Sequence, residues 1–452
     1  MQVLQIVDIE PKPQCEKVLI HPISGARCHI IGSAHVSSAS ADEVRREILR
    51  EKPDVVVLEL DAERLEALLA SASSARPALR AARRVTTTWD AFKLLFSGEL
   101  PLVVGSLGYA TVGALLDSRP GSEFVEAVRA AQEVGATIVV GDRHQRSTIE
   151  RLFARVRRGS ALYDAFVSEK QTEISDVGDG FGTESESTLN PPSDVAFKSG
   201  VESTKRLLDR AGCDSSDEVI KASMQILKAA VNGVPIRVDD LLRVRGCAVR
   251  VVEFVRMESF KGNPMFTPGM QPKNQKPTLM DWSVLHTVVH ERDLVLAHAL
   301  QRDSNAQRIV GVVGAGHVAG ITKLWDDVQS TESRERFNEM LNSWPIDAKP
   351  PNYTSNIIAG ILGATALTTI LRNGSPRAIK LSGAFVGSAI TLAGVGAYLG
   401  ATSLVSVAKI AVAIEDASIK AAELGHTKDQ ALPKSTFHNM IVRDAAVPFK
   451  DL

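Results

Sequence analysis

Cysteine is scarce in this chain: four in 452 residues, at Cys15, Cys28, Cys213 and Cys247, far apart and without a CxxC pair. That spacing excludes a zinc ribbon and a small disulfide-stapled scaffold. An excess of charge of either sign is also missing, since 52 Lys and Arg stand against 53 Asp and Glu, a formal net charge of −1. A strongly basic nucleic-acid binder is thereby excluded, and no nucleic-acid partner is expected. The opening segment MQVLQIVDIEPKPQCEKV has no basic stretch followed by a long apolar run, and Asp8 and Glu10 stand where transit peptides are poor in acids. No cleaved address is expected there. What is abundant is apolar material: 44% of the residues are hydrophobic, enough at this length for a sizeable core, which excludes disorder throughout.

Hydrophobic patterning divides the chain into four parts. Up to about Arg158, short β-branched runs alternate with helical stretches, and His29–Gly32 (HIIG), Asp54–Leu60 (DVVVLEL) and Thr137–Val140 (TIVV) read as buried strands. Between the first two, Ser40–Glu51 reads as a helix with Val44 and Ile48 on one face and Ser40 or Asp42 as its N-cap. The order predicts a βαβ crossover joining a parallel pair. Residues 168–200, rich in Ser, Gly, Asp and Glu with a proline pair, read as a flexible acidic insertion. Helical periodicity returns from Ser216 to about Asn305, most clearly over Asp281–Gln301, where Trp282, Leu285, Val289 and Leu296 share a stripe. Arg308–Val313 (RIVGVV) is one more buried strand.

The last part is uncharged from Pro350 to Leu371 and again from Leu381 to Ala408. Either stretch is long enough to span a bilayer, which needs roughly 20 helical residues. GxxxG spacings at Gly383/Gly387 and Gly396/Gly400 suit close helix packing in lipid, and suit the interface of a homo-oligomer equally well. The expected architecture is thus α/β: a mostly parallel sheet in a domain over residues 1–345, a hydrophobic helical hairpin at 350–414 serving as membrane anchor, and a polar tail at 415–452.

Chemistry concentrates at strand ends. Gly32-Ser33-Ala34-His35 follows one strand and Gly314-Ala315-Gly316-His317 follows another. A glycine at the strand end lets the chain turn tightly, and the histidine three residues on can face the crevice beyond the sheet. Two imidazoles so delivered begin a metal site. Glu59 ends the apolar run VVVLEL and is either a third ligand or a general base. Asp142 and Arg143 close a third strand, where Arg143 can stabilise an oxyanion and Asp142 can orient an imidazole. Glu291-Arg292-Asp293 could form charge pairs with these strand-end residues. Gly314-x-Gly316-x-x-x-Gly320 resembles a dinucleotide phosphate loop but carries a histidine inside it, with no room for further βαβ units. His286 and His290 are spaced for one helix face without the internal Glu of HExxH, and read as a packed or solvated pair.

Five segments together resemble a known family: IIGSAHVS at Ile30–Ser37, KPDVVVLELDAER at Lys52–Arg64, GDR at Gly141–Arg143 with Thr148 and Arg151 behind it, ERD at Glu291–Asp293, and VVGAGHVAGI at Val312–Ile321. In this order they resemble the TraB domain of TraB, PrgY, GumN and Tiki proteins, over most of residues 25–325. The resemblance implies a fold shared with erythromycin esterase-like and ChaN-like proteins. Because Tiki members are metal-dependent proteases, it also implies a hydrolase acting on a peptide or protein, with a divalent metal such as Zn, Mn or Co. It carries His35 and His317 over as metal ligands, Glu59 as the strand-end glutamate, and either Arg143 or Arg64 as the family arginine. Eukaryotic intracellular members implied by the same likeness are held to organelle membranes by C-terminal segments. The non-enzymatic alternative is therefore a tether or regulatory adaptor at an intracellular membrane, such as the mitochondrial outer membrane or the ER, with its main domain in the cytosol.

Overall fold

The computed structural model describes residues 15–71, 77–85, 100–175, 193–262, 279–303, 305–342, 344–348, 401–425 and 441–448. Its centre is a six-stranded sheet in the order β1-β2-β5-β3-β4-β6, built from β1 (Glu16–Ile20), β2 (Arg27–Ser33), β3 (Val55–Leu58), β4 (Thr137–Val140), β5 (Arg308–Gly314) and β6 (Val442–Asp444). Only β1 runs antiparallel; every other pairing is parallel. The predicted β2–helix–β3 unit is present, but its strands are not neighbours, because β5 returns from late in the chain and pairs with both.

Strands this short and apolar sit in the middle of a parallel sheet because both faces are covered. Alternate side chains divide accordingly. Ile31, Val56, Leu58, Val140 and Val312 meet Val44 and Ile48 of α1 (Ser38–Glu51) and Phe124 and Val128 of α5 (Ser122–Val134). On the opposite face Ile30, Val57, Val139 and Val313 meet Leu296 and Leu300 of α12 (Glu291–Leu300) and Val318 and Ile321 of α13 (Ala315–Leu324). Each fully buried aliphatic side chain of this kind contributes roughly 1.5–3 kcal/mol. Helix α1 begins one turn earlier than expected: Ser37, rather than Ser40 or Asp42, accepts from the Ser40 amide as N-cap.

Among the remaining helices are α2 (Ala62–Ser71), α3 (Pro77–Ala82), α4 (Leu100–Leu116), α6 (Gln145–Arg158), α7 (Ala161–Ser175), α8 (Ser193–Arg210), α9 (Ser216–Val231), α10 (Val238–Phe260), α11 (Leu279–Val284), α14 (Thr331–Leu341) and α15 (Ala401–Glu423). Helices α4, α8, α9, α10 and α15 share a second apolar core that contains Leu115, Leu208, Ile226, Leu241 and Ile414.

Several boundaries differ from expectation. Residues 168–175 and 193–200 of the expected insertion are the ends of α7 and α8; residues 176–192 lie outside the described residues. Residues 350–400 of the expected hairpin also lie outside them. Its end, 401–414, belongs to α15, which continues to Glu423 and buries Ala408, Ala411, Ile414, Ala417 and Ala421 against protein. No helix among the described residues is long and apolar enough to cross a membrane. The expected polar tail supplies β6, an edge strand whose side chains are exposed and so leave no alternating signal. Arg302 fastens the chain just beyond it by donating to the carbonyls of Ala445 and Val447. The sheet and the helical layer therefore draw on residues beyond 345.

Candidate active site

Parallel register brings the strand ends together. Ser33 is opposite Gly314, and Leu58 is opposite both Val312 and Val140, so the chain leaves β2, β3, β4 and β5 at one edge. His35, Glu59, Asp142 and His317 all emerge at this edge, the place where open α/β sheets bind ligands.

Glu59 is the centre of the cluster. Its Oε1 lies 3.2 Å from His317 Nε2 and 3.9 Å from His35 Nε2, and it also accepts from the Arg292 guanidinium. Its Oε2 accepts from the Gly314 amide at 2.5 Å. Burial alone would raise the Glu59 pKa, yet the charges of His317 and Arg292 hold it well below the usual carboxylate range. Both histidines are oriented from behind. His35 Nδ1 lies 2.6 Å from Glu123, in the first turn of α5, and His317 Nδ1 lies 2.6 Å from Asp293 on α12. Burial opposes charge on His317, but Glu59 and the bond to Asp293 outweigh it and push the imidazole up to about 9. For His35 burial likewise opposes the charge, and the bond to Glu123 with the charges of Glu123 and Glu59 raises it.

Two further cations border the cluster. Arg292 donates to Asp142 at 2.6 Å through Nη2 and at 3.1 Å through Nε, and lies 3.3 Å from His317 Nε2. Arg64 reaches Asp142 at 3.3 Å and is one-third exposed. Asp142 thus holds two arginines and does not orient an imidazole. Tyr109 lines the same crevice as His35 and is about half exposed.

Arg143, expected beside the oxyanion, is elsewhere. It is 1% exposed and donates to Thr148, to Glu291 and to the carbonyls of Thr287 and Met340. Between the two candidate arginines, Arg64 is the one at the crevice. The Thr287 carbonyl lies in the π turn Leu285–His290, between α11 and α12. That turn also displaces the expected stripe: Ser283, Thr287, Leu294 and Val295 are buried instead of Trp282, Leu285 and Val289. His286 is stacked on Trp282, with centroids 4.6 Å apart. It belongs to packing, and burial pulls its pKa down to about 4.

The glycines of the second GxxH loop have local reasons. A Cβ on Gly314 would stand 3.2 Å from His35 Nε2 and 3.3 Å from Glu59 Oε2, so its absence keeps open the space on which the donors converge. A Cβ on Gly320 would stand 2.0 Å from Asp293 Oδ2, so this glycine admits the carboxylate that holds His317.

Two imidazole nitrogens and a carboxylate suit a divalent ion, and a carboxylate behind each Nδ1 is the usual support of a metal-bound histidine. The residues fit such an ion if Arg292 gives up its share of Glu59. The trio is more open than Glu16, His29 and Glu51, whose ligand atoms all lie within 4.8 Å of one another. That second group carries its own counter-ion, since Arg50 lies 3.2 Å from Glu16 and 2.9 Å from Glu51.

Glu123 escaped sequence reasoning because 88 positions separate it from His35. Arg292 and Asp293 carried a signal, a charged triplet inside an apolar helix. No protein-family model matches the chain, and no curated protein matches it.

Proposed function

We propose that the chain is a hydrolase of amide or ester bonds, with its reaction centre at His35, Glu59, His317 and Arg292. The observation that carries this reading is the paired histidine geometry: each Nδ1 is engaged by a buried carboxylate, and each Nε2 is turned toward one shared glutamate at the crevice. The likeness to the TraB domain belongs to the same proposal. Its support is that each of the five segments contributes to one site, through His35, Glu59, Asp142, Arg292 with Asp293, and His317.

His35, His317 and Glu59 would hold a divalent ion, which when bound acts as a Lewis acid and lowers the pKa of water toward about 7. The chain's own residues do the rest. Glu59, kept ionised by its cations, serves as a ligand rather than as a base. Glu123 and Asp293 fix the tautomers. Arg292, once released from Glu59, would stay beside the site through its bonds to Asp142. Arg64 and the uncapped N-terminus of α13, where Ala315 and Gly316 line the crevice, supply donors for the developing oxyanion. Tyr109 retains a proton for the leaving group.

Attachment to an intracellular membrane through residues 350–400 is part of the proposal, supported by two uncharged stretches of sequence. Carbonate extraction of membranes checks it: an anchored chain stays with the membrane and a peripheral one comes off. For the chemistry, the experiment is hydrolysis of peptide and ester panels by the metal-loaded full chain. His35→Ala and His317→Ala should each remove turnover, and turnover surviving in both folded variants overturns the reading.

A further inference from the structure

A cavity of about 250 Å³ adjoins the cluster, walled by α4, α8, α9 and α10 and closed at one end by the Ser33–Val36 and Gly314–Gly316 loops. Its walls are aliphatic, with Val112, Leu115, Leu208, Val251, Val252 and Val255 contributed by three of those helices. Among the described residues that line it, only His35 and Arg256 are charged. Arg256 is already committed to Glu43, Glu253 and the carbonyl of Gly32. Apart from His35, which is paired with Glu123, no cation remains there for a phosphate or a free carboxylate, and no carboxylate for an amine.

His35 is different. Its side chain is 25% exposed, against 8% for His317 and 3% for Glu59, so it is the member of the cluster that the cavity reaches. Beside it, Ala315 and Gly316 begin α13 without a side-chain cap, and Tyr109 carries its hydroxyl. The cavity is thus polar where a carbonyl would sit and mostly aliphatic beyond, with Thr204 and Ser223 among its lining residues.

We infer that this cavity is the acyl pocket of the enzyme: it takes the unbranched alkyl chain of a neutral, medium-length acyl ester or amide and presents the carbonyl to the strand-end cluster. With a methylene taken as about the size of a water molecule, ~30 Å³, the cavity holds roughly eight carbons. The direction of the chain rests on the hydrolase reading; its binding does not. In the reaction one water oxygen bonds to the acyl carbon and the acyl–oxygen or acyl–nitrogen bond breaks. One proton of the water passes to the leaving alcohol or amine, and the other stays with the carboxylic acid.

The test uses the full chain and neutral methyl ketones of four, eight and sixteen carbons, which carry the carbonyl but cannot be hydrolysed. Calorimetry should show the eight-carbon ketone binding about 200-fold tighter than the four-carbon one, from four further methylenes, with no gain at sixteen. Val251→Trp and, independently, Ala248→Phe should remove that preference while leaving four-carbon binding intact. Equal affinity for four and eight carbons in the wild type overturns the inference whether or not the variants fold. So does an unchanged preference in both folded variants. Cleavage of acetyl and octanoyl esters and amides is measured separately. Chain-length-dependent ketone binding without cleavage of any ester or amide sustains the pocket and removes the hydrolase reading; equal cleavage of the two chain lengths without ketone binding does the reverse.

Discussion

Two clusters of buried charge lie side by side, and the triplet Glu291-Arg292-Asp293 serves both. Glu291 turns to one side, where it meets Arg143, Arg151 and Arg155, each at most 1% exposed. Those arginines spend their remaining donors on Glu339, Asp347, the hydroxyls of Thr148 and Thr287, and main-chain carbonyls. Arg292 and Asp293 turn to the other side, toward Glu59, Asp142 and His317. The first cluster is closed. In the second, His35 and Arg64 keep part of their surface toward solvent or the cavity, and two imidazole Nε2 atoms face a common carboxylate. Charge and burial alone would rank the two alike; what separates them is whether donor and acceptor atoms are left facing a space that a ligand can enter.

If the closed cluster is structural, breaking it should damage stability and spare chemistry. Arg151→Met leaves Glu291 short of a bidentate partner and should destabilise the full chain by about 3–5 kcal/mol, measured by urea unfolding. Activity per folded molecule should be unchanged. A variant of native stability with lost turnover would break the distinction.

Acid should act on stability in two stages. His286, beside the closed cluster, and His298, bonded to Ser333, are held neutral by burial, each with its pKa lowered from 6.5 to about 4. The unfolded chain takes up these protons first, so stability falls as the pH drops from 6.5 toward 4. Burial would raise Glu291, but Arg151, Arg143 and Arg155 pull it from 4.5 to about 2. Its contribution, about 3 kcal/mol, is complete above pH 4.5 and disappears as the pH falls toward 2. Urea midpoints taken from pH 7 to pH 3 check both stages, and a flat profile contradicts them.

The open cluster should answer to changes that never touch a proposed ligand. Gly320→Ala places a methyl against Asp293 and should loosen His317, with a loss of roughly 10–100-fold in metal affinity or activity. A metal titration and a rate on the same sample check this. The smallest effect expected is Arg64→Ala, a fall of about tenfold in kcat with KM nearly unchanged. A fall confined to KM would move Arg64 from the oxyanion to substrate binding.

The sequence revealed this site unevenly, for physical reasons. A Gly-x-x-His after an apolar run is a local pattern, so His35 and His317 were legible, and Glu59 was legible as an acid ending a buried strand. Glu123 and the position of β5 between β2 and β3 depend on pairings across long stretches of chain, which local periodicity cannot encode. Arg143 looked competent because it follows Asp142 at a strand end. Its side chain instead enters the helical side, where Thr148, Glu291 and the carbonyls of Thr287 and Met340 are its four partners. Strand β6 was illegible because three exposed residues at a sheet edge carry no alternation; its place is set by β4 and Arg302.

The central claim is that the strand-end cluster, and not the compact group Glu16–His29–Glu51, is the reaction centre. Metal content of the purified full chain after reconstitution with Zn²⁺, Mn²⁺ or Co²⁺ tests it most directly, with His35→Ala/His317→Ala and His29→Ala alongside. The account predicts close to one ion per chain in the wild type and in His29→Ala, and none in the double variant. Metal retained by the folded double variant, or lost only with His29, would contradict it.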